Sequence, residues 1–176
     1  MACSSILTYT RPCGNEFLVA GTEKLYMIAF KDLALVGTAS EVYTTSNGII
    51  SSITFGATAT KFVEVGILKA STGLTEEVTK NPNGTGFITQ TFTTRLIDIS
   101  NENRIFVESV MNQPVAVIQK LYSGKLVAAG LNGKLELSAL TGGTGIAEGD
   151  DIGYTLTFTG IDKNLIRLVD PSFAFK

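Results

Sequence analysis

From Phe87 to Leu96 the chain alternates without a slip. Ile88, Gln90, Phe92, Thr94 and Leu96 fall on one side, and Thr89, Thr91, Thr93 and Arg95 on the other. A helix repeats a face about every 3.6 residues, so a strict period of two specifies a strand with one face on a core. The other face, made mostly of threonine, suits water or a polar channel. The pattern returns at Ile152 to Gly160, with Ile152, Tyr154, Leu156 and Phe158 expected inward and Gly153, Thr155, Thr157 and Thr159 outward. Threonine occurs 22 times, among many Val, Ile, Phe and Tyr residues. β-Branched and aromatic side chains fit a pleated surface better than a helix, so the chain is expected to be mainly β.

Turn signals divide the remainder. Lys24 to Phe30 reads as the first strand; a second begins near Glu41-Val42-Tyr43, and Asn47-Gly48 turns it into Ile49 to Phe55. Lys61 to Lys69 carries apolar residues on both faces and reads as a strand covered on each side. With Asn81-Pro82-Asn83-Gly84 as a turn, residues 61–70 and 86–97 are expected to form a long hairpin or its equivalent. One helix is expected, from about Asn101 to Met111, with Asn103, Phe106, Val107 and Val110 on one stripe. Ser100 or Asn101 caps it, Arg104 and Glu108 pair across a turn, and Pro114 marks the exit. Val115 to Tyr122, Lys125 to Ala129 and Lys134 to Leu140 read as a β-meander, and Asn164 to Val169 as a closing strand.

The 176 residues fit a single domain at 21–176 behind an amino-terminal arm at 1–20. The net charge of −2 and the scattered Lys and Arg give no basic footprint for gripping nucleic acid. The start lacks the basic opening and apolar run of a signal peptide, so a cytosolic chain is expected. Val42 to Thr60 is uncharged, but Ser, Thr, Asn and Gly fill much of it, so it reads as a surface or subunit-contact segment and not as a membrane span. Mean hydropathy of +0.26 nevertheless implies more apolar surface than one small domain needs. Cys3 and Cys13 lie in the arm and are expected to be reduced thiols, dispensable for folding.

Residues that could carry chemistry are few. There is no histidine, which removes the commonest general base and the usual hydrolytic triads. Glu64, Asp98, Asp150 and Asp151 could form a carboxylate pair, but acidic residues at such spacing are ordinary surface. The run Thr141-Gly142-Gly143-Thr144-Gly145 lacks the Lys-Ser or Lys-Thr of a phosphate loop and precedes a strand, so it reads as a strand connection. Asp150 and Asp151 match no calcium-loop spacing. No enzyme activity, cofactor or metal is expected.

Two later stretches carry a resemblance. They are Pro114 to Lys120 with Ser123-Gly124-Lys125 and Gly130 to Leu137, and the segment Gly142 to Gly160, which includes Ile146-Ala147-Glu148-Gly149-Asp150-Asp151. Together with Cys3, Cys13 and Lys24-Leu25-Tyr26 they resemble virion structural proteins of phages of Bacteroidetes-type bacteria, of the tail tube family. The resemblance implies a β-sandwich or half-open β-barrel with one flanking helix. It further implies rings, usually hexameric, that stack into a tube around a channel for DNA. The partners would be other copies and other tail proteins, with DNA as non-specific passing cargo and no membrane. The location would be the virion, assembled in the host cytoplasm. No active site comes with it. Related β-folds serve in baseplates and head-tail joints, and a monomeric ligand-binding β-sandwich is the reading from a different class.

Within that picture, Ile49, Ile50, Ile53 and Phe55 are the candidate interface residues. They are large apolar side chains in the uncharged segment, expected to be partly exposed in a single chain, and with the arm they would reach a neighbouring subunit.

Overall fold

The computed structural model describes residues 20–37, 41–56, 61–68, 70–132, 135–145, 148 and 152–173. Cys3, Cys13, the arm as far as residue 19, Asp150 and Asp151 lie outside the described residues. In chain order the strands are β1 (Thr22–Ala29), β2 (Tyr43–Ser46), β3 (Ile49–Ile53), β4 (Val63–Val65), β5 (Gly73–Lys80) and β6 (Gly86–Ile97). The helix α1 (Asn101–Met111) follows, then β7 (Val115–Leu121), β8 (Leu126–Ala129), β9 (Glu136–Gly143), β10 (Gly153–Asp162) and β11 (Arg167–Val169). A short 3-10 turn at Phe30–Asp32 ends β1. The chain is mainly β, a sandwich-like pair of sheets with one α-helix among the described residues, as the alternation requires.

A seven-stranded sheet has the order β2-β3-β11-β8-β7-β1-β4, and a four-stranded sheet the order β5-β6-β10-β9. Between them lies a core in which Leu25, Met27, Val115 and Val117 of the larger sheet meet Phe92, Leu96, Leu156 and Phe158 of the smaller. Phe92 and Phe158 are opposite each other in register, with ring centroids 5.7 Å apart. Val107 and Val110 of α1 seal the same core. Ser100 caps the helix, its hydroxyl accepting from the Asn103 backbone N–H at 3.2 Å, and Arg104 meets Glu108 at 2.6 Å.

The central strands of the larger sheet, β7, β8 and most of β1, are buried on both faces. Tyr26, Ile28, Ala116, Ile118, Leu126 and Ala128 point away from the first core into a second one, completed by Leu33, Val42, Ile50, Ile53, Phe62 and Val169. That explains the unbroken apolar run Val115-Ala116-Val117-Ile118, all buried.

Several expectations are corrected. The partner of β6 is β5, at Gly73–Lys80, and not the segment 61–70; from the latter only Val63–Val65 forms a strand, and it pairs with β1. Glu76, Glu77 and Lys80 hid β5, because charged residues weaken a strand signal. Val63 is 59% exposed, so that segment is not covered on both sides. The meander holds for β7 and β8, but β9 leaves it for the smaller sheet and pairs with β10. β11 closes the larger sheet, antiparallel to β8 and parallel to β3. Ile152, expected inward, is 46% exposed because it precedes the first pair of β10, Gly153 with Ile97.

Candidate assembly surface

The expected contact residues come first. Asn47 and Gly48 both adopt positive φ, 52° and 79°, which is the tight two-residue turn that joins β2 to β3. Ile50 is fully buried and Ile53 nearly so, in the core behind the larger sheet, and Phe55 packs against that core with its ring 6.0 Å from Phe62. The expectation that all four side chains are partly exposed is therefore corrected. Ile50 and Ile53 stabilise their own domain, and Ile49, 37% exposed, is the member of the set that faces out. Composition could not tell a buried hairpin from a contact loop, because both are uncharged and β-branched.

The four-stranded sheet offers a more regular surface. Its inner face carries Phe92, Leu96, Leu156 and Phe158; its outer face is set by the opposite parity of the same strands. In register, Thr75, Thr91 and Thr159 form one row across β5, β6 and β10, and Thr93 with Thr157 forms the next. Arg95, Thr155 and Thr141 form a third across β6, β10 and β9. Neighbouring strands stand about 4.8 Å apart, so the hydroxyls form a close two-dimensional array. The charges on this face among the described residues stand toward its two ends, Arg95 opposite Thr155 at one, and Glu77 opposite Thr89 with Glu136 opposite Thr159 at the other. Threonine serves both needs here, since its branched carbon favours the strand and its hydroxyl keeps the exposed face hydrated.

Among the described residues neither edge of this sheet has a further strand beside it, and β5 and β9 are its two edges. All three pairings in it are antiparallel, so β5 and β9 run in opposite directions. Each is 8 residues long. β9 is exposed along nearly its whole length and has no charged residue from Leu137 to Gly143. Edge strands are ordinarily guarded by charges or proline, and β9 has neither after Glu136. Gly142 belongs in this strand because the Tyr154 ring lies across it: a β-carbon there would stand 2.7 Å from the ring. The β5 edge is fastened from inside. Glu76 Oε1 accepts from the Ile166 backbone N–H at 2.6 Å and from Gln90 Nε2 at 3.2 Å.

Of the carboxylates considered for chemistry, Glu64 and Asp98 are not brought together, and Asp150 and Asp151 lie outside the described residues. Glu64 pairs with Lys24 at 3.1 Å on β4 and β1, whereas Asp98 follows β6. Asp98 caps the next turn, its side chain accepting from the Ile99 N–H at 2.8 Å. An open cleft of about 380 Å³ lies near the end of β10, lined among others by Tyr43, Phe87, Asp162 and Asn164. Arg167 stacks on the Tyr43 ring at 5.7 Å. Burial raises the Tyr43 hydroxyl pKa, with the Arg167 charge opposing it. Comparison of this chain with protein-family models, with curated proteins and with solved structures finds no match.

Proposed function

We propose that this chain is a virion structural protein, a tail tube subunit that forms stacked rings around a channel for DNA. The observation that carries the reading is the four-stranded sheet, with two open edges of opposite direction and a threonine outer face. An identical copy rotated about an axis brings its β5 beside β9 in the antiparallel sense, so the ladder continues without reversal. Such head-to-tail contacts close into a ring when the rotation divides a full turn. A closed ring removes every edge of the smaller sheet, which answers the unguarded β9.

The threonine face then lines the channel. Gripping DNA requires clustered Lys and Arg, each phosphate contact adding affinity. A hydrated hydroxyl surface with Arg95 toward one end and Glu77 and Glu136 toward the other gives a polyanion little to hold, which suits passage. The larger sheet, whose central strands are buried on both faces, would form the outer wall.

Sedimentation and negative-stain microscopy of the purified chain test the proposal. Rings or tubes are expected, and Ala139→Lys with Thr141→Lys on β9 is expected to leave a folded monomer. A wild-type chain that stays monomeric at high concentration defeats the reading. It would favour a ligand-binding β-sandwich instead, for which the cleft beside Tyr43 is the supporting feature.

A further inference from the structure

The open cleft near the end of β10 draws its walls from both sheets. Tyr43 of β2 and Leu131, just after β8, come from the larger sheet, and Phe87 of β6 and Ile161 of β10 from the smaller. Two aromatic rings and two aliphatic side chains therefore face a space of about 380 Å³. Sites for small molecules are mostly apolar clefts of about 300–1,000 Å³ with a few placed polar groups. Glu41, Asp162, Lys163 and Asn164 supply the polar groups here. The wall that carries the last three continues as a loop without regular structure from Lys163 to Ile166, yet it is fastened along its length. Asp162 Oδ1 accepts from the Lys163 and Asn164 N–H groups at 2.6 and 3.0 Å, the Asn164 carbonyl accepts from Gln90 Nε2 at 3.4 Å, and Glu76 Oε1 accepts from the Ile166 N–H at 2.6 Å. Side chains of β5 and β6 thus fix the wall before any ligand arrives, which lowers the ordering cost of binding. Those bonds use the backbone of Asn164 and leave its side-chain amide to the cleft.

A smaller recess of about 20 Å³, room for one water, adjoins the cleft and shares Tyr43, Asp162 and Asn164 with it. Arg167 lines this recess. Its guanidinium stacks on the Tyr43 ring, and its Nε is buried without a hydrogen-bond partner. A buried donor left unpaired is costly, so an acceptor that reaches it through the recess is favoured. The charges around the two spaces select the kind of ligand. Glu41 and Asp162 oppose an anion, and Lys163 and Arg167 oppose a cation. A neutral ligand meets neither penalty, and one rich in hydroxyls can use every group: it donates to the carboxylates and accepts from Lys163, Arg167 and the Asn164 amide.

We propose that this cleft binds a neutral hexose, with a C–H face of the sugar on Tyr43 or Phe87, its hydroxyls on Asp162, Lys163 and Asn164, and a hydroxyl or bridging water in the recess at Arg167. A hexose combines the two features that the walls ask for, an apolar ring face and a rim of groups that both donate and accept. None of the lining residues lies on β5 or β9, the edges that the ring uses. The proposal is therefore independent of the tube reading and holds for a ring or a single chain.

The test titrates the full chain with glucose, galactose and N-acetylglucosamine by saturation-transfer NMR and calorimetry, with alanine, succinate and putrescine as zwitterionic, anionic and cationic controls. At least one of the sugars is expected to bind, and the controls about tenfold more weakly or not at all. Asn164→Ala keeps the backbone bonds of the loop and should weaken sugar binding about tenfold. Tyr43→Leu keeps an apolar group against the second core and should weaken it by about tenfold or more. Should Tyr43→Leu lose the β-sheet signal in circular dichroism, Asn164→Ala decides alone. Lactose, tested beside its component sugars, separates the sources of the ligand: equal affinity assigns the cleft to a free hexose, and tighter binding assigns it to the end unit of a glycan chain. Binding of none of the sugars, a control that binds as tightly as the best of them, or unchanged affinity in folded Asn164→Ala overturns the proposal and leaves the ring reading standing. A wild-type chain that stays monomeric but binds sugar defeats the rings and supports the cleft.

Discussion

The two sheets of this protein differ in how many of their faces are covered. The strands β1, β7 and β8 of the larger sheet bury both faces, and their side chains are apolar almost without interruption. β6 and β10 of the smaller sheet bury one face and present threonine on the other. A strand covered twice is committed to its own domain. A strand covered once, in a sheet with two bare edges, leaves a surface and two ladders for another molecule. The division of labour between stability and assembly therefore follows the division between sheets.

The largest expected effects lie in the shared core. Phe158 is fully buried against Phe92, and Phe158→Ala should cost about 3–5 kcal/mol in chemical denaturation. Its neighbour Thr157 faces the other way, and Thr157→Ala should change stability by less than about 0.5 kcal/mol. Comparable losses at the two positions would mean that the outer face is packed against something in the single chain, and the contrast between faces would fail.

Ile50 tests the same contrast from the other sheet. Fully buried behind it, Ile50→Ala should cost about 2–5 kcal/mol, and loss of oligomers should appear only together with loss of folded protein. A folded, monomeric Ile50→Ala variant would return the residue to an interface role.

How much of this was legible beforehand depends on which signal a residue carries. The faces of β6 and β10 were written in the period of two, and α1 in its cap, its Arg104–Glu108 pair and its apolar stripe. Pairing was not written there. β5 is charged and was missed, and the segment 61–70 took its place because it is apolar. The assignment of β9 to the smaller sheet depends on a crossover that no local pattern encodes. Ile50 and Ile53 were misplaced because an uncharged, β-branched segment looks the same whether its cover is its own domain or a neighbour. The threonine face was visible as a strand face, but its continuation across three strands appears only once the register is known.

A smaller effect is expected where β5 is fastened. Glu76→Ala removes the acceptor of the Ile166 N–H and of Gln90 Nε2, and should cost about 1–2 kcal/mol. Hydrogen exchange should quicken in β5 and at Ile166 while β7 and β8 stay protected. Equal quickening in both sheets would show that the edge is not an independent element.

The smallest effect distinguishes the turn that closes the larger sheet. After β11, the Asp170 N–H donates to the Ile50 carbonyl at 2.9 Å, and the Asp170 carboxylate accepts from the Ser172 N–H at 2.8 Å and its hydroxyl at 2.7 Å. These bonds to Ser172 hold the carboxyl pKa below its usual 3.8, against a slight opposing desolvation. The folded chain thus binds this proton less readily than the unfolded one. The stabilisation is fully present above the unfolded pKa and is lost as pH falls through the folded one. The group is solvent-exposed, so the effect is small and is best read as a difference. Asp170→Asn keeps a side-chain carbonyl that can accept but does not titrate. The melting temperature of the wild type should exceed that of the variant at neutral pH, and the gap should narrow below the ordinary carboxyl range. A gap that stays constant on acidification would mean that the turn is held by the Ile50 backbone bond alone.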